Sequence, residues 1–225
     1  YRNLMQLTSK AHLEGFYYKP KVDHALLEQY NEGLIALTAC LGGEIPALLS
    51  QNRPEEARQA ALWYQKVFKE FYIEIQRFPI PQLEKVNREL IALSKELNIP
   101  LVATNDVHYI NKDDAPYHEL LLCVGTNTTI TDPKHMKIDG DYFYLKSPQE
   151  MSEAYQDIPE AIENTQIIAD LCDLKLDFSR LYLPEIDLPP GMSAQDYLKD
   201  LCTAGFKSMF PNPTVELEQR LQYEL

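Results

Sequence analysis

The sequence predicts an α/β fold in which helices cover a small parallel sheet. Three short apolar segments, at 33–38, 71–76 and 99–104, are typical of buried strands. Two segments between them, 54–70 and 82–97, carry apolar residues at helical spacing. Because a helix between two strands returns the chain to the same edge of the sheet, we expect neighbouring strands to run parallel.

Each of these elements has its own local signal. The first strand closes before Gly42 and Gly43, and Cys40 lies just past its end. The first helix begins at Pro54 with two glutamates after it, which suit a helix N-terminus. The second strand is rich in residues that favour β-structure, and the second helix has a single apolar stripe.

The C-terminal third has a different pattern and predicts a boundary near residue 176. The segment 148–171 fits two short helices, each beginning at a proline. Three prolines within 183–191 exclude a helix or central strand there, so that segment is predicted to be a linker. Ser193 then caps another helix. The predicted domains are therefore 1–175 and 176–225.

Composition narrows the classes of protein. The chain has 45% hydrophobic residues but no apolar run long enough to span a membrane and no secretion leader, which predicts a cytoplasmic protein. Its four cysteines form no CxxC pair, which favours reduced thiols. The formal charge of −13 predicts that this segment alone binds nucleic acid poorly. We also expect both ends to be cut, because Tyr1 is not an initiator residue and 215–225 has a helix pattern that continues to its last residue.

The strongest chemical signal lies at the end of the third strand. In an extended chain, Asp106 and His108 would point the same way and present a carboxylate beside an imidazole. Cys40 occupies the equivalent place after an earlier strand. Sites in parallel α/β folds form where strands end, so these three residues are candidate ligands for zinc or a similar divalent ion.

Ordinary structural roles compete with this interpretation. Asp and His also cap loops and make common hydrogen bonds, and a lone cysteine beside a strand is often a small buried hydrophobe. Glu74 faces away from Ile73 and Ile75, so it could join a polar interior or lie on a solvated strand face. The remaining histidines lack a partner at ligand spacing and are interpreted as exposed or hydrogen-bonded.

Several longer strings make the sequence resemble the bacterial DNA polymerase III alpha subunits. In order along the chain, they are YRNL at 1–4, LEGFYYKP at 13–20, ACLGGEIP at 39–46, ATNDVHY at 103–109 and FYLKS at 143–147. The resemblance spans nearly the whole sequence. Together the strings are specific, although each alone is weak.

The resemblance implies a PHP domain, a distorted barrel of parallel strands and helices with metal ligands at its strand ends. Cys40, Asp106 and His108 match ligand positions, with zinc or manganese as the implied ion. Glu74 is a weak candidate from its place on the second strand, and the resemblance does not add it. Other family ligands, including an H-x-H motif, are expected upstream of Tyr1. Such a cluster implies 3′–5′ exonuclease activity in some members and a scaffold in others. The chain departs from many relatives after Glu74, where Arg77 follows Gln76.

The same resemblance implies DNA-templated DNA synthesis for the intact protein. Residues from 176 onward resemble the lead-in to the polymerase palm, whose catalytic aspartates and magnesium ions are expected beyond Leu225, so this segment should contain no catalytic residue for polymerisation. The implied partners are DNA, dNTPs, a proofreading exonuclease subunit, the sliding clamp and other replisome subunits, with no membrane. Two alternatives stay open: a free-standing PHP phosphoesterase, and a scaffold that docks the proofreading exonuclease.

Overall fold

A computed structural model describes residues 1–138, 140–181 and 183–225. The chain divides into two units, Tyr1–Asp173 and Leu174–Leu225. The division falls close to the predicted boundary near 176, but the identity of the two parts as a PHP domain and the start of a palm stays a prediction. No helix in the described residues is long and apolar enough to cross a membrane.

The first unit alternates strands and helices. Its elements are α1 (Arg2–Leu13), α2 (His24–Tyr30), β1 (Ile35–Leu37), α3 (Glu44–Ser50), α4 (Pro54–Val67), β2 (Glu70–Gln76), α5 (Pro81–Leu97), β3 (Leu101–Thr104), a 3₁₀ helix (Lys112–Asp114), α6 (Ala115–Thr126), α7 (Pro148–Ala154) and α8 (Pro159–Leu171). The second unit contains α9 (Ala194–Met209) and α10 (Val215–Glu224).

The sheet confirms the predicted α/β class and the parallel pairing. Its order is β1-β2-β3, with Ile35 opposite Glu70 and Ile73 opposite Leu101. β1 is shorter than the predicted segment 33–38, because only its three central residues pair with β2. Closure of these strands into a distorted barrel stays a prediction.

The helices around the sheet begin where their sequences indicate. Pro54 and Pro81 occupy the first turns of α4 and α5, where a missing amide hydrogen costs no helical hydrogen bond. α4 ends at Val67, three residues before the predicted end, because β2 begins at Glu70 and the chain must already be extended there. α5 ends at Leu97, and Asn98 follows it in the left-handed conformation with φ of 53°.

The core of the first unit lies between the sheet and its helices. Ile73 and Ile75 of the central strand are 0% and 1% exposed. Small residues of α4 and larger apolar residues of α5 pack around them. Tyr155, after α7, is also buried, and its hydroxyl donates to the backbone oxygen of Ile75 at 3.0 Å. The core therefore packs closely against the strand residues next to the carboxyl end of the sheet.

The second unit has helices without a core of its own. Ser193 caps α9 as predicted and accepts a hydrogen bond from the amide of Asp196 at 3.1 Å. Among the described residues from 174 to 225, none is buried. The segment with three prolines, 183–191, contains no helix or strand, as the linker prediction requires.

Candidate metal-ligand site at the carboxyl end of the sheet

Polar side chains link the three strands near their carboxyl ends. The hydroxyl of Thr38, just after β1, accepts from the amide of Glu74 at 2.8 Å. The Glu74 carboxylate in turn accepts hydrogen bonds from the side chains of Gln76, at 3.1 Å, and Thr104. Glu74 is half-buried, so it joins a polar network across the sheet rather than a solvated face. Its carboxylate is already engaged by two neighbours.

Asp106 and His108 lie together just beyond β3, as the sequence predicts, but for a different reason. β3 ends at Thr104, and Asp106 has a φ of 44°, in the left-handed region. The alternation of an extended strand therefore does not apply to this pair. A turn brings them together instead, and the carboxylate Oδ1 of Asp106 lies 4.0 Å from Nδ1 of His108.

The backbone selects one orientation of the His108 imidazole. Its Nδ1 lies 2.8 Å from the backbone oxygen of Asp106, so Nδ1 carries the hydrogen and donates it. This tautomer leaves a lone pair on Nε2, which is the form in which a neutral histidine binds a metal. The side chains of Asp106 and His108 are 36% and 32% exposed, so an ion can reach both.

A segment some 35 to 40 residues later in the sequence supports this turn, and we call Tyr142–Lys146 the brace. The amides of His108 and Tyr109 donate to the backbone oxygen of Phe143, at 2.8 and 3.3 Å. The side-chain amide of Asn105 donates to the backbone oxygen of Tyr144 at 2.6 Å. The brace overlaps FYLKS at 143–147, one of the strings that carry the resemblance, but nothing in the sequence predicted its contact with the turn.

Cys40 lies on a turn after β1 and is exposed with a free thiol. The interpretation of Cys40 as a buried hydrophobe is therefore wrong. The turn is tight: Ala39 has a φ of 61°, and a side chain on Gly43 would overlap the backbone oxygen of Thr38 at 2.0 Å. Only glycine fits at position 43 without moving the backbone.

The described residues do not bring the three candidate ligands together. Across 1–138, 140–181 and 183–225, no group of three or more His, Cys, Asp or Glu side chains is arranged to hold a metal ion. Asp106 and His108 thus form a pair of donors without Cys40 beside them. A carboxylate oxygen and a neutral imidazole nitrogen suit zinc or manganese in their chemistry. Metal binding by Cys40, Asp106 and His108 stays a prediction.

His118, which was expected to be exposed or hydrogen-bonded, is a neighbour of this pair. Its ring lies 5.5 Å from the ring of His108, centroid to centroid, and His108 also packs edge-on against Phe143 at 5.1 Å. His118 belongs to α6, a helix that the sequence did not predict. Ten positions separate the two histidines, and no ligand motif has that spacing.

Arg77 lies where the resemblance implies a departure from many relatives, and its contacts are structural. Its guanidinium donates to both carboxylate oxygens of Asp157, at 2.6 and 2.8 Å, and to the backbone oxygen of Ala154 at 2.5 Å. It also lies over the ring of Tyr155 at 4.9 Å. The hydrogen bonds from Arg77 lower the pKa of Asp157 below its usual range. Arg77 therefore ties the loop after β2 to the corner between α7 and α8.

Comparison with known proteins gives consistent matches. Residues 1–78 match the family model of the PHP domain. DNA polymerase III subunit alpha of Borreliella burgdorferi is 43% identical over 228 residues, which cover 100% of this chain and 20% of that protein. The subunits of Treponema pallidum, at 40%, and Thermus aquaticus, at 38%, match 100% and 96% of the chain. The chain spans about a fifth of the length of these curated relatives.

Proposed function

Over its full length the chain is homologous to bacterial DNA polymerase III alpha subunits, and we propose that it is the PHP part of a replicative DNA polymerase. The observation that supports this proposal most directly is the match of 43% identity across the whole chain. The intact protein would synthesise DNA on a template from dNTPs in the cytoplasm, together with a sliding clamp, a proofreading exonuclease and other replisome subunits. Its palm aspartates, with magnesium, would lie outside this chain.

Within that polymerase, the turn after β3 would be an accessory metal site. Asp106 supplies a carboxylate, His108 supplies an Nε2 lone pair, and Cys40 is the third proposed ligand. The negative charge of Asp106 favours a cation beside it, and the hydrogen bond from Nδ1 to the Asp106 backbone keeps the imidazole in the binding tautomer. A divalent ion held there would supply Lewis acidity for attack of water on a phosphodiester, as 3′–5′ exonuclease activity requires.

A scaffold without catalysis is the second candidate, and two observations favour it. The described residues hold no complete ligand group. Arg77 lies directly after β2, near the carboxyl end of the sheet, and its contacts join the loop to the α7–α8 corner instead of facing a metal. The third alternative, a free-standing phosphoesterase, has less support, because the match to polymerase relatives continues beyond residue 176 to the end of the chain.

Metal analysis and two DNA assays on the intact protein test these proposals. We would measure bound zinc and manganese by mass spectrometry, primer extension with magnesium, and release of nucleotides from a 3′ end. Asp106→Asn should lower metal affinity by about tenfold or more, because an amide is a poorer ligand than a carboxylate. Asp113→Asn is the matched control, since Asp113 is an exposed carboxylate in the 3₁₀ helix that follows the turn.

Each outcome separates two candidates. Loss of metal and of 3′ nucleotide release in Asp106→Asn supports a catalytic PHP site. Equal metal content in Asp106→Asn and Asp113→Asn contradicts metal binding at this turn and leaves the scaffold. A protein that does not extend a primed template with magnesium contradicts the polymerase proposal itself.

A further inference from the structure

The turn that carries Asp106 and His108 needs support from outside itself. It lies beyond the last paired residue of β3, Thr104, so no strand holds its backbone. Asp106 has a positive φ of 44°, which costs free energy in any residue other than glycine. A conformation of this kind persists only when neighbouring contacts fix it. The contacts that fix this turn must therefore come from another part of the fold.

The side chain of Asn105, the residue before Asp106, is held at both of its polar atoms. Its Nδ2 donates to the backbone oxygen of Tyr144 at 2.6 Å, and its Oδ1 accepts from Nζ of Lys146 at 2.7 Å. These two hydrogen bonds fix the orientation of the Asn105 side-chain amide at the start of the turn. The two partners are 39 and 41 residues away in sequence.

Lys146 differs from an ordinary surface lysine in its surroundings. Its Nζ also donates to the backbone oxygen of Tyr142 at 2.7 Å. The ammonium lies 4.9 Å from the ring centroids of both Phe78 and Tyr144, within reach of cation–π attraction. Burial lowers the pKa of Lys146, and the charge of the nearby Glu150 opposes this effect. The Lys146 ammonium is therefore partly removed from solvent and fixed by contacts with Asn105, Tyr142 and two aromatic rings.

We propose that Lys146 is a positioning residue that, through Asn105, holds Asp106 and His108 in the arrangement that binds a metal ion. This inference rests on the proposed metal site. Lys146 does not contact either candidate ligand in the hydrogen bonds of the structure, and it acts by fixing the residue beside them. Removing its ammonium leaves Asn105 with only the hydrogen bond to Tyr144, and the strained backbone at Asp106 then loses one of the contacts that maintain it.

The test compares Lys146→Met with Lys112→Met in the intact protein. Methionine keeps an unbranched side chain of similar length but cannot donate to Asn105. Lys112 is the matched control, because it makes an exposed ion pair with Asp141 on the loop that follows the turn. Three quantities are measured: affinity for manganese and zinc in competition with a chelator, hydrogen exchange of peptides spanning 106–110, and the midpoint of thermal unfolding.

We expect Lys146→Met to weaken metal affinity by about tenfold or more relative to Lys112→Met, as removal of groups that orient metal ligands does. Exchange of the amides of His108 and Tyr109 should become about tenfold faster, while peptides of β2 stay unchanged. In an Asn105→Ala background, Lys146→Met should have no additional effect on affinity, because both residues act through one contact. If Lys146→Met acted through a general loss of stability, its effect on affinity would add to that of Asn105→Ala.

The outcomes keep this inference separate from the proposed function. If the unmutated protein binds neither ion, the metal site fails, and hydrogen exchange alone decides whether Lys146 fixes the turn. If the unmutated protein binds the ion and Lys146→Met binds it as well as Lys112→Met does, the positioning role is overturned. If Lys146→Met does not fold, Asn105→Ala provides the comparison from the other side of the contact, because it removes the acceptor of the Lys146 hydrogen bond and leaves Lys146 in place.

Discussion

The two units of the chain contain helices of similar amphipathic pattern but differ in what those helices bury. α5 of the first unit buries Val86, Leu90 and Leu93 in the core around the sheet. α9 of the second unit has Leu198 and Leu201 on one face, and these side chains are 53% and 54% exposed. The pattern of a helix therefore predicts that it has an apolar face, but not that the face is covered.

The difference shows what a sheet adds to a helical pattern. Parallel strands place apolar side chains from distant parts of the sequence on a common surface, and helices can pack against it. Ile73 is fully buried because β1, β3 and α5 all lie around β2. The second unit has no strand among its described residues and offers no such surface. Stability measured on the first unit should therefore be insensitive to changes in the second.

The largest expected effect comes from removing a core side chain. Ile73→Ala should lower the free energy of unfolding by about 2–5 kcal/mol, because it leaves a cavity in the centre of the sheet. Leu201→Ala should change it by less than about 0.5 kcal/mol, because that side chain is already exposed. Trp63, the one tryptophan of the sequence, lies in the first unit, so urea unfolding followed by its fluorescence measures both variants. Equal effects would contradict the comparison.

A single buried hydroxyl should have a smaller effect. Tyr155→Phe removes the donor to the backbone oxygen of Ile75 at 3.0 Å and should cost about 1–2 kcal/mol. Tyr223→Phe in α10 is the matched control, since Tyr223 is 80% exposed and should give no measurable change. The same fluorescence transition reports both. If Tyr155→Phe leaves the free energy of unfolding unchanged, the hydrogen bond from Tyr155 to the carbonyl of Ile75 does not stabilise the fold.

Two serine caps provide a matched pair across the units. Ser147 caps α7 in the first unit and Ser193 caps α9 in the second, and each accepts from an amide three residues ahead. Ser147→Ala should lower the stability of the first unit by about 1 kcal/mol. Ser193→Ala should reduce helical circular dichroism without moving the Trp63 transition. A shift of that transition by Ser193→Ala would show that the units are energetically coupled.

The smallest expected effect is the pH-dependent contribution of Glu150 to stability. Glu150 is the second member of the capping box at the N-terminus of α7. Hydrogen bonds from Tyr144 and Ser147 lower the pKa of Glu150 to about 2 from an ordinary value of 4.5. A lowered carboxyl pKa stabilises the folded state above the ordinary value, and this contribution is lost as the pH falls toward 2. The thermal midpoints of the unmutated protein and Glu150→Gln should therefore differ most at neutral pH and converge in acid.

Glu216 in the second unit is the control for that measurement. A hydrogen bond from Thr214 also lowers its pKa, but Glu216 lies in the first turn of a helix that has no buried residue. Glu216→Gln should leave the Trp63 transition unchanged at every pH. A constant difference between the unmutated protein and Glu150→Gln from neutral pH down to 2 would contradict the assigned pKa shift.

The elements that the sequence predicted best are those with one clear period. α4 and α5 follow from helical apolar spacing, with prolines that mark where they begin, and β2 and β3 follow from short apolar runs rich in residues that favour β-structure. α6 was missed because its apolar residues face several directions and only Cys123 is buried. α3 was missed because Pro46 and the two preceding glycines hide a helix of seven residues. Periodicity identifies a helix only when its apolar residues share one face, whether or not that face is buried.

By itself, the sequence determined the α/β class, the parallel strands, the caps of several helices and the placement of an Asp-x-His pair after the third strand. These features depend on residues close together in the chain, where spacing and local hydrogen bonding decide the structure. Only the tertiary structure showed that a turn, not an extended strand, joins Asp106 to His108, and that Asn105 and Lys146 support this turn. Residues 41 positions apart meet only after the chain has folded, so their contact leaves no local pattern in the sequence.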